Sequence, residues 1–331
     1  MPTLVLGYRQ VTDLLDMTAL VPLMARTLAE LSRGEAQMPP RQMLPHPSQP
    51  GLIAWMPAVL AGGEPFGSKV ISVYPENRRQ GMHTHQGVVL LFAPETGEVR
   101  AIVDADAVTA RRTAAVSAAA TDLLALPDAG DLALLGSGAL AETHLEAMFQ
   151  VRPIRRVRVC SRSEGNAQAF AERMGSRYGI AVESVGDAQA AVAGADIVCT
   201  LTDARSPILK GDWLRPGAHL NAVGASVGGF RELDDEAVRR SLVYVDSLSH
   251  ALLQADDLRL PLEAGVVGER HVRGEIGAVA DGRLEGRRGQ DDVTLFKSVG
   301  LAVEDLAAAQ YCIARARAQG AGTWVKFGAG R

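Results

Sequence analysis

The chain has 331 residues, 47% of them hydrophobic and 22% charged, with a formal net charge of −4. That length predicts two domains with ample core, and the charge gives no electrostatic case for nucleic acid or an anionic membrane as partner. No apolar run approaches the roughly 18 residues of a membrane span, and MPTLVLGYRQVTDLLD lacks the flank and core of a signal peptide, so a cytoplasmic protein is expected.

Apolar residues recur at helical spacing over residues 11–31, and Gly34 follows as a stop signal. Five prolines between Met38 and Gly51 predict an extended, pinned segment rather than a regular element. Strand-like runs follow at 51–56, 67–74 and 87–92, and the turn Pro94-Glu95-Thr96-Gly97 leads into a fourth at 99–104. These predict a mostly antiparallel sheet up to about residue 110, followed by an alanine-rich helix at 113–126. Strands at 132–135, 156–160, 181–184, 196–201, 219–223 and 242–245 then alternate with helices such as 166–178 and 187–192. That alternation is the signature of a parallel sheet covered on both faces. Glycine and arginine dominate 265–289, where loops and short helices are expected. A last long helix at about 303–319 has nowhere to pack in a completed parallel domain, so it is expected to return to the first. Cys160, Cys199 and Cys312 lie in apolar contexts without a ligand spacing, which predicts reduced, buried thiols.

The stretch LALLGSGALAE (132–142) carries the most information. A strand-like run ends in Gly136-Ser137-Gly138-Ala139-Leu140-Ala141, and a helical pattern follows at once. Gly136 permits a tight turn, Gly138 lets backbone approach a pyrophosphate, and Ala141 is small enough for helix to pack on strand. The helix offers its unpaired N–H groups to the phosphates. The second strand runs out into Ser161-Arg162-Ser163, where an acid for the ribose hydroxyls would ordinarily stand. An arginine and two hydroxyls suit a 2′-phosphate, so NADPH is expected ahead of NADH, although Arg162 stacked on adenine would suit either.

Candidate substrate anchors are Arg41, Lys69 and the Arg111-Arg112 pair. Arginine grips a carboxylate through two parallel N–H bonds, and a buried lysine can also deliver a proton. From residue type alone, a lone Lys or Arg is ordinarily a solvated surface charge. His83 and His85 lack the third ligand of a metal site, so no metal is expected, and polar lining of the site is the nearer role. Leu201 and Thr202, with the loop from Asp203 to Pro207, and Val223 and Gly224, with the loop to Ser226, follow strands whose carboxyl ends line a nicotinamide crevice.

With these elements in place, the chain resembles the ornithine cyclodeaminase/mu-crystallin family over essentially its whole length. The segments that carry the match are SKVISVYP (68–75), HQGVVLLFAPETGEVRAIVDADAVTARRTAAVSAAAT (85–121), GSGALAETHLEAM (136–148), PGAHLNAVGASVGGFRELDDE (216–236) and TLFKSVGLAVEDLAAA (294–309). The wording is nearest the mu-crystallin branch, whose activity is reduction of cyclic ketimines. The resemblance implies an α/β fold with a doubly wound, parallel-sheet dinucleotide-binding domain (113–303). That domain would be inserted in a smaller α+β domain for substrate binding and dimerisation (1–112 with 304–331).

The same resemblance places a substrate carboxylate near Arg41, Lys69 and Arg112. Lys69, or a water held by Ser226 or His85, would supply the imine proton. Ornithine cyclodeaminases carry an aspartate at the position of Ser226, and serine has no accessible pKa for that acid–base work. The expected activity is therefore NAD(P)H-dependent reduction of pyrroline-2-carboxylate or piperideine-2-carboxylate, by a homodimer. The alternatives are an alanine dehydrogenase-like or N-alkyl amino acid dehydrogenase acting on open-chain 2-oxo acids, and a non-catalytic small-ligand-binding protein.

Overall fold

The computed structural model describes residues 2–327, so residues 1 and 328–331 of the expected first domain lie outside it. The chain divides into two compact units, one formed by residues up to 112 with those from 301 onward, the other by residues 113–300. The first unit opens with β1 (Thr3–Leu6), α1 (Tyr8–Leu14) and α2 (Met17–Ser32). The apolar pattern predicts one helix over 11–31, but the backbone leaves the helical conformation at Leu15 and Asp16. Asp16 is extended and its side chain accepts the Ala19 N–H at 3.0 Å, which caps α2 and favours the break. The Arg111 guanidinium donates to the Leu15 carbonyl at 2.9 Å, so this arginine is spent on the corner between two helices.

The sheet of this unit continues with β2 (Gln42–Pro45), β3 (Leu52–Val59), β4 (Phe66–Val73), β5 (His85–Phe92) and β6 (Val99–Asp104). β2 corrects the expectation of an irregular proline-rich segment. It is an edge strand paired with β3, where proline's missing N–H is tolerated. α3 (Ala105–Leu124) starts well before residue 113, because the Asp104 carboxylate accepts the Ala107 N–H at 2.9 Å and caps it there.

The second unit contains β7 (Asp131–Leu135), α4 (Ala139–Met148), β8 (Arg156–Cys160), α5 (Glu164–Tyr178), β9 (Ala181–Ser184), α6 (Ala188–Val192) and β10 (Ile197–Thr200). β11 (His219–Ala222), α7 (Asp235–Arg239), β12 (Ser241–Val245), α8 (Leu248–Gln254) and α9 (Asp256–Glu263) follow. β13 (Val272–Glu275), α10 (Ile276–Ala280) and β14 (Val293–Lys297) complete it. Its strands pair in parallel in the order β13-β12-β14-β11-β10-β7-β8-β9. β10 and β11 are buried throughout, as strands covered on both faces must be. The order reverses at β7, which makes the carboxyl edge between β7 and β10 the topological switch point. β13 lies in the stretch expected to hold only loops and short helices, and forms an edge of the sheet.

The chain then returns to the first unit as α11 (Ala302–Gln319) and β15 (Thr323–Val325). That unit's sheet runs β15-β1-β6-β5-β4-β3-β2, antiparallel except for the parallel pair β1 and β6. α11 packs on α2 and on β3, β4 and β5. Alternation along β3 buries Ala54, Met56 and Ala58 and leaves Ile53 and Trp55 exposed on the other face. Cys199 and Cys312 are buried as expected, but Cys160, ending β8, is only half-buried. Among the described residues, no helix is long and apolar enough to cross a membrane.

Candidate functional site

Lys69 lies in the middle of β4, opposite Met56 of β3 and Val89 of β5, and is 2% exposed. Its ammonium meets Asp305 of α11 at 2.6 Å, and the Thr109 hydroxyl of α3 lies 3.4 Å away. The other Asp305 oxygen accepts from Arg112 Nε at 2.8 Å, and Arg112 Nη1 donates to Glu304 at 2.7 Å. Arg112, Glu304 and Asp305 are buried, so two cations and two carboxylates share one interior cluster. Glu304 and Asp305 sit in the first turn of α11, where the helix dipole favours negative charge.

Burial lowers the Lys69 pKa to about 8; Asp305 opposes that fall, while Arg112 and Arg41 add to it. Burial works against ionisation of Asp305, but Arg112 and Lys69 outweigh it and hold the carboxyl below its usual range. Of the expected anchors, Lys69 and Arg112 thus share a partner. Arg41, half-buried just before β2, reaches Lys69 through its charge. Glu304 and Asp305 carry no sequence signal of the site, because acids in the first turn of a helix serve equally well as dipole compensation.

The two histidines separate. His85 is exposed at the start of β5, with Nδ1 3.1 Å from the Thr84 hydroxyl, and shares Lys69's sheet face through the register of Val89. His83 pairs instead with Asp106 at 2.5 Å and meets the Tyr8 ring edge-on.

In the second unit the glycine turn sits at the switch point. Gly136 has φ +121°, and a Cβ there would stand 2.8 Å from the Leu201 carbonyl oxygen, so glycine is required twice over. Its N–H donates to the Cys160 carbonyl at 2.8 Å. Gly138 is the N-cap of α4; no side chain caps the helix, and nothing lies within 4 Å of a Cβ built there. Ser137 and Leu140 are half-buried, Ala139 is exposed, and Ala141 is fully buried on the sheet side. Uncapped N–H groups beside an open glycine fit the pyrophosphate of a dinucleotide.

Beyond β8, Ser161 is half-buried and Arg162 and Ser163 are exposed. The Ser163 oxygen caps α5 by accepting the Asn166 N–H at 3.3 Å, which leaves its O–H able to donate outward. At the ends of β10 and β11 the chain segments of Thr202 and Gly224 touch: a Cβ on Gly224 would fall 2.0 Å from the Thr202 carbonyl oxygen. Val223 is buried, and Ser226 is half-buried, with its N–H 3.2 Å from the Gly224 carbonyl oxygen.

A family model for the ornithine cyclodeaminase/mu-crystallin family matches residues 1–320. The ketimine reductase mu-crystallin of Mus musculus is 37% identical over 309 residues, covering 92% of this chain and 95% of the relative. The solved structure of Thermococcus litoralis Delta(1)-pyrroline-2-carboxylate reductase in complex with NADH and L-proline superposes with a TM-score of 0.94. It is 36% identical, covering 97% of this chain and 99% of that one. An archaeal alanine dehydrogenase dimer with bound NAD matches with a TM-score of 0.92 at 31% identity, over 99% of this chain and 100% of that one. A match of this extent in both sequence and fold makes the chain a member of the ornithine cyclodeaminase/mu-crystallin family.

Proposed function

We propose that the chain is an oxidoreductase that reduces the C=N bond of a cyclic ketimine carboxylate, pyrroline-2-carboxylate or piperideine-2-carboxylate, to L-proline or L-pipecolate. The observation that carries this reading is the buried Lys69–Asp305–Arg112–Glu304 cluster. Arg112, Lys69 and Arg41 supply the positive charge that takes the substrate carboxylate. With a pKa of about 8, Lys69 is protonated at neutral pH yet able to release its proton to the ring nitrogen. A water on Ser226 or His85 is the other source of that proton. A bound nicotinamide supplies the hydride that the C=N carbon receives. The turn from Gly136 to Leu140 holds the pyrophosphate, and Leu201, Thr202, Val223 and Gly224 floor the nicotinamide.

The finer assignments follow the same physics. Ser161, Arg162 and Ser163 favour NADPH over NADH, because a guanidinium and hydroxyls match a 2′-phosphate where a carboxylate would repel it. Leu44, Ile53, Trp55 and Phe66 are exposed and share one face of the first unit's sheet by register, which supports a homodimer through that face. Relatives that reduce ketimines, or bind NADH and L-proline, support the substrate class. The likeness to an alanine dehydrogenase supports a second reading, reductive amination of an open-chain 2-oxo acid.

Absorbance at 340 nm separates the readings. NADPH or NADH is consumed with either cyclic ketimine, and no ammonia is released from ornithine. Turnover of pyruvate with ammonia or methylamine, and of neither ring, would establish the second reading. Ammonia release from ornithine at a rate matching ketimine reduction would overturn both.

A further inference from the structure

A buried carboxylate joins the carboxyl ends of β10 and β11. Glu232 has no exposed surface. Its Oε1 accepts the N–H and the hydroxyl of Thr202, each at 2.7 Å. Its Oε2 accepts the Thr200 hydroxyl at 2.8 Å, the Gly224 N–H at 2.8 Å and the Ala225 N–H at 3.2 Å. Three backbone N–H groups and two hydroxyls meet the two oxygens, an environment that suits a carboxylate as acceptor.

The carboxylate is itself held in place. Asp257 Oδ1 accepts the backbone N–H groups of Glu232 and Leu233 at 2.8 and 2.9 Å. The second Asp257 oxygen lies 3.1 Å from the buried Lys297 ammonium. Burial pushes the Glu232 pKa up, with Lys297 opposing and Asp257 adding to the rise. Burying a carboxylate in this way is costly. What the arrangement adds is position. Thr202 and Gly224 approach so closely that no side chain fits between them, and Leu201 abuts Gly136 of the glycine turn.

We propose that Glu232 is a positioning residue for the nicotinamide end of the cofactor site, fixing Leu201–Thr202 and Val223–Ala225 as its floor. This deepens, and rests on, the reading of the second unit as the dinucleotide-binding one. An amide in place of the carboxylate would turn an N–H donor against donors already present, so Glu232→Gln changes the polarity of the latch at nearly constant shape. ADP-ribose and its 2′-phosphate carry everything in NADH and NADPH except the nicotinamide. They report the rest of the site separately.

The experiment measures calorimetric Kd values on the full chain for NADH against ADP-ribose, and for NADPH against 2′-phospho-ADP-ribose. Glu232→Gln should raise the Kd of the intact cofactor at least tenfold and that of the fragment less than twofold. Thr200→Val, which removes one hydroxyl donor to Oε2 at a position outside the cofactor floor, should raise the cofactor Kd roughly three- to fivefold with the same selectivity. If Glu232→Gln does not fold, Thr200→Val decides alone. Parallel weakening of cofactor and fragment would assign Glu232 to general integrity of the fold and overturn the proposal, as would unchanged cofactor affinity in the folded variants. A wild type that binds neither cofactor nor fragment would remove the dinucleotide reading itself, and the proposal with it. Binding of both by wild type with unselective variants would remove the role of Glu232 alone.

Discussion

Replacing Asp305 by Asn tests whether the charge state of Lys69 governs turnover. The substitution keeps shape and an acceptor for Arg112 but removes the negative charge 2.6 Å from the Lys69 ammonium. At that distance the Coulomb attraction is about 6 kcal/mol for an effective dielectric of ~20. A fifth of it shifts a pKa by about one unit. Lys69, already lowered by burial to about 8, should therefore drop to ~7 or below in the variant. The assay is the pH profile of kcat/KM for pyrroline-2-carboxylate with saturating NADPH. Activity should fall above about pH 8 in the wild type and above ~7 in Asp305→Asn. The substrate's own titration is common to both proteins, so the displacement belongs to the enzyme.

Unfolding does not mimic this result. The folded-state pKa of Lys69 lies below its ordinary 10.5, so between about 8 and 10.5 the unfolded chain holds more protons than the folded one. The cost of burying the charged lysine, about 3 kcal/mol, is thus present below pH ~8 and relieved as pH rises. Alkaline loss of activity would accompany a gain in Lys69's contribution to stability. Superimposable alkaline limbs in the wild type and a folded Asp305→Asn would refute the role given to Lys69.

Three further outcomes are expected. Arg112→Ala should cost roughly 2–4 kcal/mol of transition-state stabilisation, read in kcat/KM, with NADPH affinity retained; near-normal turnover in a folded variant would place the carboxylate elsewhere. Arg162→Asp, at an exposed position, should move the ratio of Michaelis constants toward NADH, and an unchanged ratio would remove Arg162 from the 2′-phosphate site. Gly224→Ala puts a Cβ 2.0 Å from the Thr202 carbonyl oxygen, so the strand ends must part at a cost of about 1–3 kcal/mol. Calorimetry should show a lowered Tm with weakened NADPH binding, and a variant with wild-type values of both would contradict the close packing described.

Much of the fold is legible in local pattern because its elements satisfy local rules. The strand before Gly136, the helix after it and the second strand from Arg156 to Cys160 all announce themselves by period and punctuation. What escapes the sequence depends on distant partners. The break at Leu15–Asp16 is invisible in the apolar period, since buried apolar residues continue on both sides of it, and Arg111 completes the corner from α3. β2 and β13 are edge strands whose proline and glycine argue against strand by propensity, and each is held by a single neighbouring strand.

The buried carboxylates were the least visible part of the site, for a related reason. In the segment Arg231-Glu232-Leu233-Asp234-Asp235, Glu232 is fully buried and Asp235 is not, yet composition treats them alike. Burial of an acid is decided by which donors arrive, and here they come from Thr200, Thr202 and Gly224. The first unit poses the same problem over a longer span, because Asp305 lies 193 positions beyond Arg112. A lysine and an arginine in an apolar interior are too costly to leave unpaired, so Lys69 and Arg112 imply buried counter-charges somewhere in the chain. Only the return of α11 after residues 113–300 brings those charges to them. The C-terminal helix is therefore part of the candidate site as well as part of the core: without it, Lys69 loses the partner that keeps its pKa from falling further.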